Sequence, residues 1–185
     1  MPIQSIKSGT LSRSTAVGNA IILPGDFESI ATFSLSSSDA NVEFTSIPGT
    51  FTHLQIRVLS MSSTANWNKL QFNTDTGSNY TYHQLEGNGT TVVANSGTSQ
   101  TSIQYAYSYS TTNPLSAVID ILDYANTNKY KTVRTLSGND SNGSGNVQLM
   151  SGLWLNTNAI TSIKLINTSG LFNQHSHFAL YGIRG

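Results

Sequence analysis

His175 and His177 stand two residues apart in the stretch HSHFALYGIRG. On a β-strand, positions i and i+2 share a face, so the pair has the spacing of two imidazole metal ligands. A metal site needs further donors, and no carboxylate or third histidine lies close in sequence. A threefold axis through an oligomer would bring three such pairs together. The plainer reading is a sheet strand. Phe178 and Leu180 then form its core row, and His175, His177, Ala179, Tyr181 and Ile183 form the other. The sequence favours that strand and assigns no residue to a metal, a cofactor or catalysis.

Other candidates resolve in the same way. Asp140-Ser141-Asn142-Gly143-Ser144-Gly145 opens like a calcium loop, D-x-N-x-S-G, but the twelfth position, where a bidentate Glu belongs, is Ser151. The flanks alternate as strands do, so a turn is expected there. Asp120 and Asp123 in VIDILDY fall on opposite faces of a strand, a poor arrangement for a hydrolytic carboxylate pair. Asp123 suits hydrogen bonds from the following turn, ANTNK. No G-x-S-x-G, P-loop or H-E-x-x-H occurs. N-x-S/T triplets at Asn79, Asn88, Asn139, Asn142 and Asn167 follow from the abundance of these residues. Tyr80 and Tyr82, and again Tyr105, Tyr107 and Tyr109, recur at i, i+2. Such rows lay aromatic faces along a sheet. They can stack on sugars or fill a core or subunit interface, and the core or interface is expected in a chain with so few charges.

The elements that position these residues are short strands. The 185 residues include 27 Ser, 22 Thr and 18 Asn, more than a third of the chain, while charged residues make up 10% against about 25% in ordinary soluble proteins. Thr favours strands; Asn, Ser and the 15 Gly favour turns. No window has the 3.6-residue apolar period of a long helix. Net charge is zero, which argues against nucleic-acid binding, because phosphate contacts need clustered Lys and Arg. The longest apolar run, near Ala20 to Leu23, is too short to cross a bilayer, and the first residues lack the apolar core of a signal peptide. With no cysteine, disulfides and thiolate metal sites are ruled out and the redox compartment stays open.

Residues 1–26 read as an extended N-terminal arm, with Lys7 and Arg13, no acid before Asp26, and a break at Pro24-Gly25. From Phe27, strand-like segments recur at sandwich spacing. THLQIRVLSM alternates, with Leu54, Ile56 and Val58 inward, and KLQF places Leu70 and Phe72 inward. Turn signals are Glu86-Gly87-Asn88-Gly89, Asn95-Ser96-Gly97 and Asn142-Gly143-Ser144-Gly145. About a dozen strands predict an all-β, jelly-roll-like two-sheet β-sandwich over 27–185.

Six ordered blocks spread over residues 27–185 resemble a family of tailed-bacteriophage virion proteins: FESIATFSL, VEFTSIPGTFTHLQIRV, LQFNTDTGSNYTYHQLEGNG, VIDILDYANTNKYKTVRTLSG, LMSGLWLNTNAITSIKL and FALYGIRG. The resemblance implies a structural component of the virion, assembled in the host bacterial cytoplasm, with no catalytic residues to carry over. The first expectation is a non-enzymatic capsid decoration (cement) protein. It would be a homotrimer whose partner is the major capsid protein, with the arm reaching the shell or an adjacent protomer. Neither nucleic acid nor membrane is an expected partner. The second is a receptor-binding or tail-fibre domain that holds host surface glycans through its tyrosine rows. A glycan hydrolase ranks last, because the nine carboxylates make no convincing pair.

Overall fold

A computed structural model describes residues 15–17, 20–22, 25–109 and 111–185. Their regular structure is entirely β. The strands are β1 (Thr15–Val17), β2 (Ala20–Ile22), β3 (Phe27–Ser34), β4 (Asn41–Phe44), β5 (His53–Ser60), β6 (Asn66–Phe72) and β7 (Tyr80–Gly87). They continue with β8 (Val92–Gln100), β9 (Ile103–Ser108), β10 (Leu115–Leu122), β11 (Lys131–Asp140), β12 (Gly145–Trp154), β13 (Ile163–Asn167) and β14 (His177–Ile183). β1 and β2 pair antiparallel. Most of the expected arm over 1–26 lies outside the described residues.

An eight-stranded sheet, β3-β14-β5-β10-β11-β12-β7-β8, packs on a four-stranded sheet, β4-β13-β6-β9. Setting aside the β7–β8 and β11–β12 pairs, which extend one edge of the large sheet, leaves β3-β14-β5-β10 facing β4-β13-β6-β9. The chain crosses between these layers at β3→β4, β4→β5, β5→β6, β9→β10 and β13→β14, and returns to β13 after β12, the double Greek key of a jelly roll. The sandwich expected from the sequence is therefore the architecture observed.

Alternation fixes which side of each strand faces the core. Leu54, Ile56 and Val58 of β5 are buried against Leu70 and Phe72 of β6 and Ile163 and Leu165 of β13. Phe178 and Leu180 of β14 are fully buried, and Phe178 meets Phe172 edge-on with ring centroids 5.0 Å apart. Strand β9 lies closest to the large sheet, across β10, β11, β12 and β7. Gly152 permits that approach, since a Cβ there would stand 2.5 Å from the Ile103 side chain.

Two expected turns form. Asn142 (φ 57°) and Gly143 (φ 92°) occupy the left-handed region between β11 and β12, as a type I′ hairpin turn requires. Asn88 closes the β7–β8 turn by accepting the Thr90 and Thr91 amides. Asn95-Ser96-Gly97, expected as a turn, lies inside β8 instead. Strand β8 ends the large sheet and is exposed along nearly all its length, so no buried row imposes apolar alternation and its composition resembles that of a loop.

The turn joining β6 to β7 is organised by Asp75. Its carboxylate accepts hydrogen bonds from Trp154 Nε1 at 2.8 Å, Gly77 N at 2.9 Å and Asn79 Nδ2 at 3.0 Å. Tyr80 stacks on Trp154, and its hydroxyl donates to the Asp75 carbonyl and accepts the Phe72 amide. Burial pushes the Tyr80 hydroxyl up to about 12. For Asp75, burial pushes upward, but bonds from Trp154, Asn79 and Gly77 outweigh it and hold the carboxyl below its ordinary 3.8.

A folded-state value below the unfolded one means stability present above about pH 4 and lost as pH falls through the lower folded value. Asp75→Asn should cost about 1–2 kcal/mol at neutral pH, and the gap between variant and wild type in urea titrations should narrow below pH 4. An unchanged gap at pH 3 would show that the carboxylate's charge is not what the turn uses. Phe178→Ala should cost about 3–5 kcal/mol in the same assay, the range for losing a buried aromatic ring.

Candidate interaction surface

The large sheet is twice as wide as the small one, and its outer face has no covering layer among the described residues. That face should be polar, yet it is not. Val118, Leu136, Leu149 and Leu85 stand opposite one another on the successive strands β10, β11, β12 and β7. The adjacent row carries Leu59, Val147 and Val92, spaced by Ser116, Gly138 and Gly87. Leu59, Leu136, Val147 and Leu149 are each more than half exposed. At about 4.8 Å per strand, six strands make a band some 24 Å wide. Single exposed apolar residues are ordinary, whereas a contiguous patch marks a contact surface.

The band has relief and a polar border. Between Leu59, Val118, Leu136 and Val147 the face dips into a depression of about 510 Å³ floored by Ser116 and Gly138. Arg57 closes one end of the first apolar row. The row beyond it is polar: Gln55, Asp120, Arg134, Ser151 and His83 lie in register. Gln55 Nε2 donates to Asp120 Oδ1 at 2.8 Å. An apolar centre with a polar rim is the usual anatomy of a protein–protein contact.

The inner face carries the opposite surprise, a buried polar cluster at the β7–β12 end. Glu86, 7% exposed, accepts hydrogen bonds from Gln84 Nε2 at 2.7 Å, Gln148 Nε2 at 3.0 Å and the Tyr109 hydroxyl. Burial, then the Glu86 hydrogen bond and charge, raise the Tyr109 hydroxyl well above its ordinary value. Gln148 Oε1 accepts the Tyr107 amide at 2.8 Å. Ser137 Oγ lies 3.2 Å from the Tyr105 carbonyl and 3.3 Å from Gln148 Oε1. The sequence holds a signal for both surprises. Gln84 and Glu86 are in phase with Tyr80, and Gln148 with Trp154, while Leu85, Val147 and Leu149 fall on the opposite phase.

The residues singled out in the sequence do not converge. His175 lies before β14, in a turn, at φ 70°, so it does not share a strand row with His177. The turn forms because the His175 amide donates to Leu35 O and the Ser176 amide to Asn173 O, which draws the chain away from extended pairing. Both histidines are exposed, and His177 Nδ1 lies 3.0 Å from Ser34 Oγ. No group of three or more His, Cys, Asp or Glu among the described residues is placed to hold a metal ion. Asp120 ends on the outer polar row and Asp123 beyond β10 at φ 51°. Asp123 pairs with Lys129 of ANTNK at 2.5 Å, and the Lys129 hydrogen bond, outweighing burial, lowers its carboxyl. Asp140 closes the hairpin turn, its Oδ1 3.4 Å from Gly143 N.

The tyrosine rows divide. Tyr80 and Tyr105 are fully buried. Tyr107 packs edge-on against Trp67 at 4.9 Å and against Tyr109 at 4.5 Å, and Tyr109 is 49% exposed. No helix among the described residues is long and apolar enough to cross a membrane. No family model matches the chain, and no curated protein is significantly similar to it.

Replacing His175 and His177 together with Ala should change stability by no more than about 0.5 kcal/mol, as at other exposed positions. A chelator should leave the melting temperature of the wild-type protein where it was. A drop on chelation, with metal present in the purified protein, would restore the metal reading.

Proposed function

We propose that this protein is a non-enzymatic structural component of a tailed-bacteriophage virion, a capsid decoration protein that associates as a homotrimer and stabilises the assembled shell. The observation that carries this reading is the uncovered apolar band of the large sheet. It is aliphatic at its centre, poor in charge, and bordered by one acid and bases in register, which suits contact between copies of one chain. Such faces resemble obligate interfaces, which are more apolar than transient ones. The resemblance of blocks across 27–185 to virion proteins supports the particle assignment.

In this reading the arm over 1–26 reaches the major capsid protein or a neighbouring protomer. A trimer presenting three arms gains avidity from simultaneous attachment. Binding to the assembled shell, and not to separated subunits, stabilises the shell by mass action. A receptor-binding fibre domain holding host glycans through its tyrosine rows draws less support, because two of the five tyrosines are sealed in the core.

Light scattering at micromolar concentration should return about three times the 19.9 kDa chain mass. Leu136→Glu combined with Leu149→Glu should yield a folded monomer with a melting temperature near wild type, since both side chains stand in solvent within one chain. A wild-type monomer would overturn the assembly reading. Deleting residues 1–25 should leave the sandwich folded but reduce occupancy on purified particles; full occupancy would place the shell contact elsewhere. Electron microscopy of the particle tests the location directly, with many copies on the shell expected and a few at the tail excluding the decoration role.

A further inference from the structure

At one end of the sandwich, the β7–β8 turn, the β11–β12 turn and the chain leaving β9 enclose a cleft of about 460 Å³. Asn88, Thr90, Ser141 and the half-exposed ring of Tyr109 line it, together with Asn139 and Asn146. Asn139 and Asn146 are opposed partners on β11 and β12. Asn139 is 9% exposed, and neither the Oδ1 nor the Nδ2 atom of either side chain has a hydrogen-bond partner within the fold. Four buried amide atoms thus go unanswered in one place. Leaving a buried polar group unmet costs about 1–3 kcal/mol, and two apolar residues of similar size would remove that cost.

We infer that this cleft is a binding site for a neutral saccharide. Each Asn amide presents an acceptor beside two donor hydrogens, which matches neighbouring hydroxyls that both donate and accept. No lining residue is charged, so the site offers nothing to a phosphate or a carboxylate. Tyr109 supplies the aromatic wall. Its ring is held from behind by the Tyr107 ring at 4.5 Å and by the hydroxyl bond to Glu86. Trp67 in turn backs Tyr107, so the platform is braced before a ligand arrives, which lowers the ordering cost of binding. Tyr109 lies just past the end of β9, outside any strand ladder, so these side-chain contacts are what position its ring. The volume is within the range of small-molecule sites. This inference does not depend on where in a particle the chain resides, nor on its oligomeric state.

The test is a titration of the intact protein, labelled with ¹⁵N at asparagine, with glucose, galactose, mannose and N-acetylglucosamine separately, to about 100 mM, because isolated sugar sites of millimolar affinity are expected. At least one sugar should shift the Asn139 and Asn146 side-chain amide resonances saturably. Asn139→Ala should weaken that binding roughly tenfold, the equivalent of a lost hydrogen bond. If that variant does not fold, Tyr109→Ala, at a half-exposed position, should weaken it by a similar factor. Absence of a saturable shift with all four sugars would mean that water alone fills the cleft and would overturn the proposal. So would binding that survives in the folded variants, or a preference for the charged sialic acid over every neutral sugar.

Discussion

The free edge of β9 is the constraint on which the sandwich depends. β9 ends the small sheet, so the edge it turns away from β6 has no strand to pair with, and the strand is pressed into the interior of the large one. Unpaired backbone groups there would be buried without water, a cost that natural proteins do not leave standing. Side chains of the opposite layer answer it. Gln148 accepts the Tyr107 amide, and Ser137 reaches the Tyr105 carbonyl. Gln148 is held in turn by the Glu86 carboxylate, which also fixes Gln84 and Tyr109. Polar residues that look misplaced in a core are here the substitute for a missing strand, and the same cluster sets the position of the aromatic ring at the end of the sandwich.

Unequal layers have a second effect. In a two-layer sandwich each sheet turns one face outward, and the eight-stranded sheet has the wider one. On most antiparallel sheets that face is polar. Here Leu85 of β7 and Val147 and Leu149 of β12 take the outward phase while Tyr80, Met150 and Trp154 take the inward one, so hydrophobic side chains project from both surfaces. A lone chain gains nothing from such a band, whereas in an assembly the band becomes interior. The polar cluster within and the apolar band without are thus complementary departures from ordinary patterning, one serving the fold and the other serving association.

Most of the architecture could be read from the sequence because it rests on period-two alternation, which a single chain displays. Leu54, Ile56, Val58, Leu70 and Phe72 face inward as alternation dictates, and Asn142-Gly143 turns as its dipeptide demands. What escaped depends on neighbours distant in the chain. Asn95-Ser96-Gly97 reads as a turn, and only its place at the rim of the sheet makes it strand. His175 and His177 read as one row until backbone bonds to Leu35 and Asn173 bend the chain between them. The tyrosines look equivalent at i, i+2 spacing, yet Tyr105 is entombed and Tyr109 stands in solvent, because the chain leaves the sheet between them. The orphaned amides of Asn139 and Asn146 had no signature, since an unmet hydrogen bond is a property of a place and not of a residue type.

Strand β14 sits between β3 and β5, so two strands made early are joined by one made late. A ribosome adds about 5–20 residues each second, and roughly 120 residues separate β5 from β14. For something on the order of 10 s the nascent chain therefore holds β3 and β5 with facing edges unfilled and part of the core uncovered. Seven of the eleven strand pairings among the described residues join strands that are not consecutive in the chain, which places folding among the slow topologies. The scarcity of charge that suits the finished protein to close contact leaves this intermediate with little electrostatic repulsion against its neighbours on the same message. Yield during synthesis is then exposed to mutation in strand β14 alongside the stability of the finished fold.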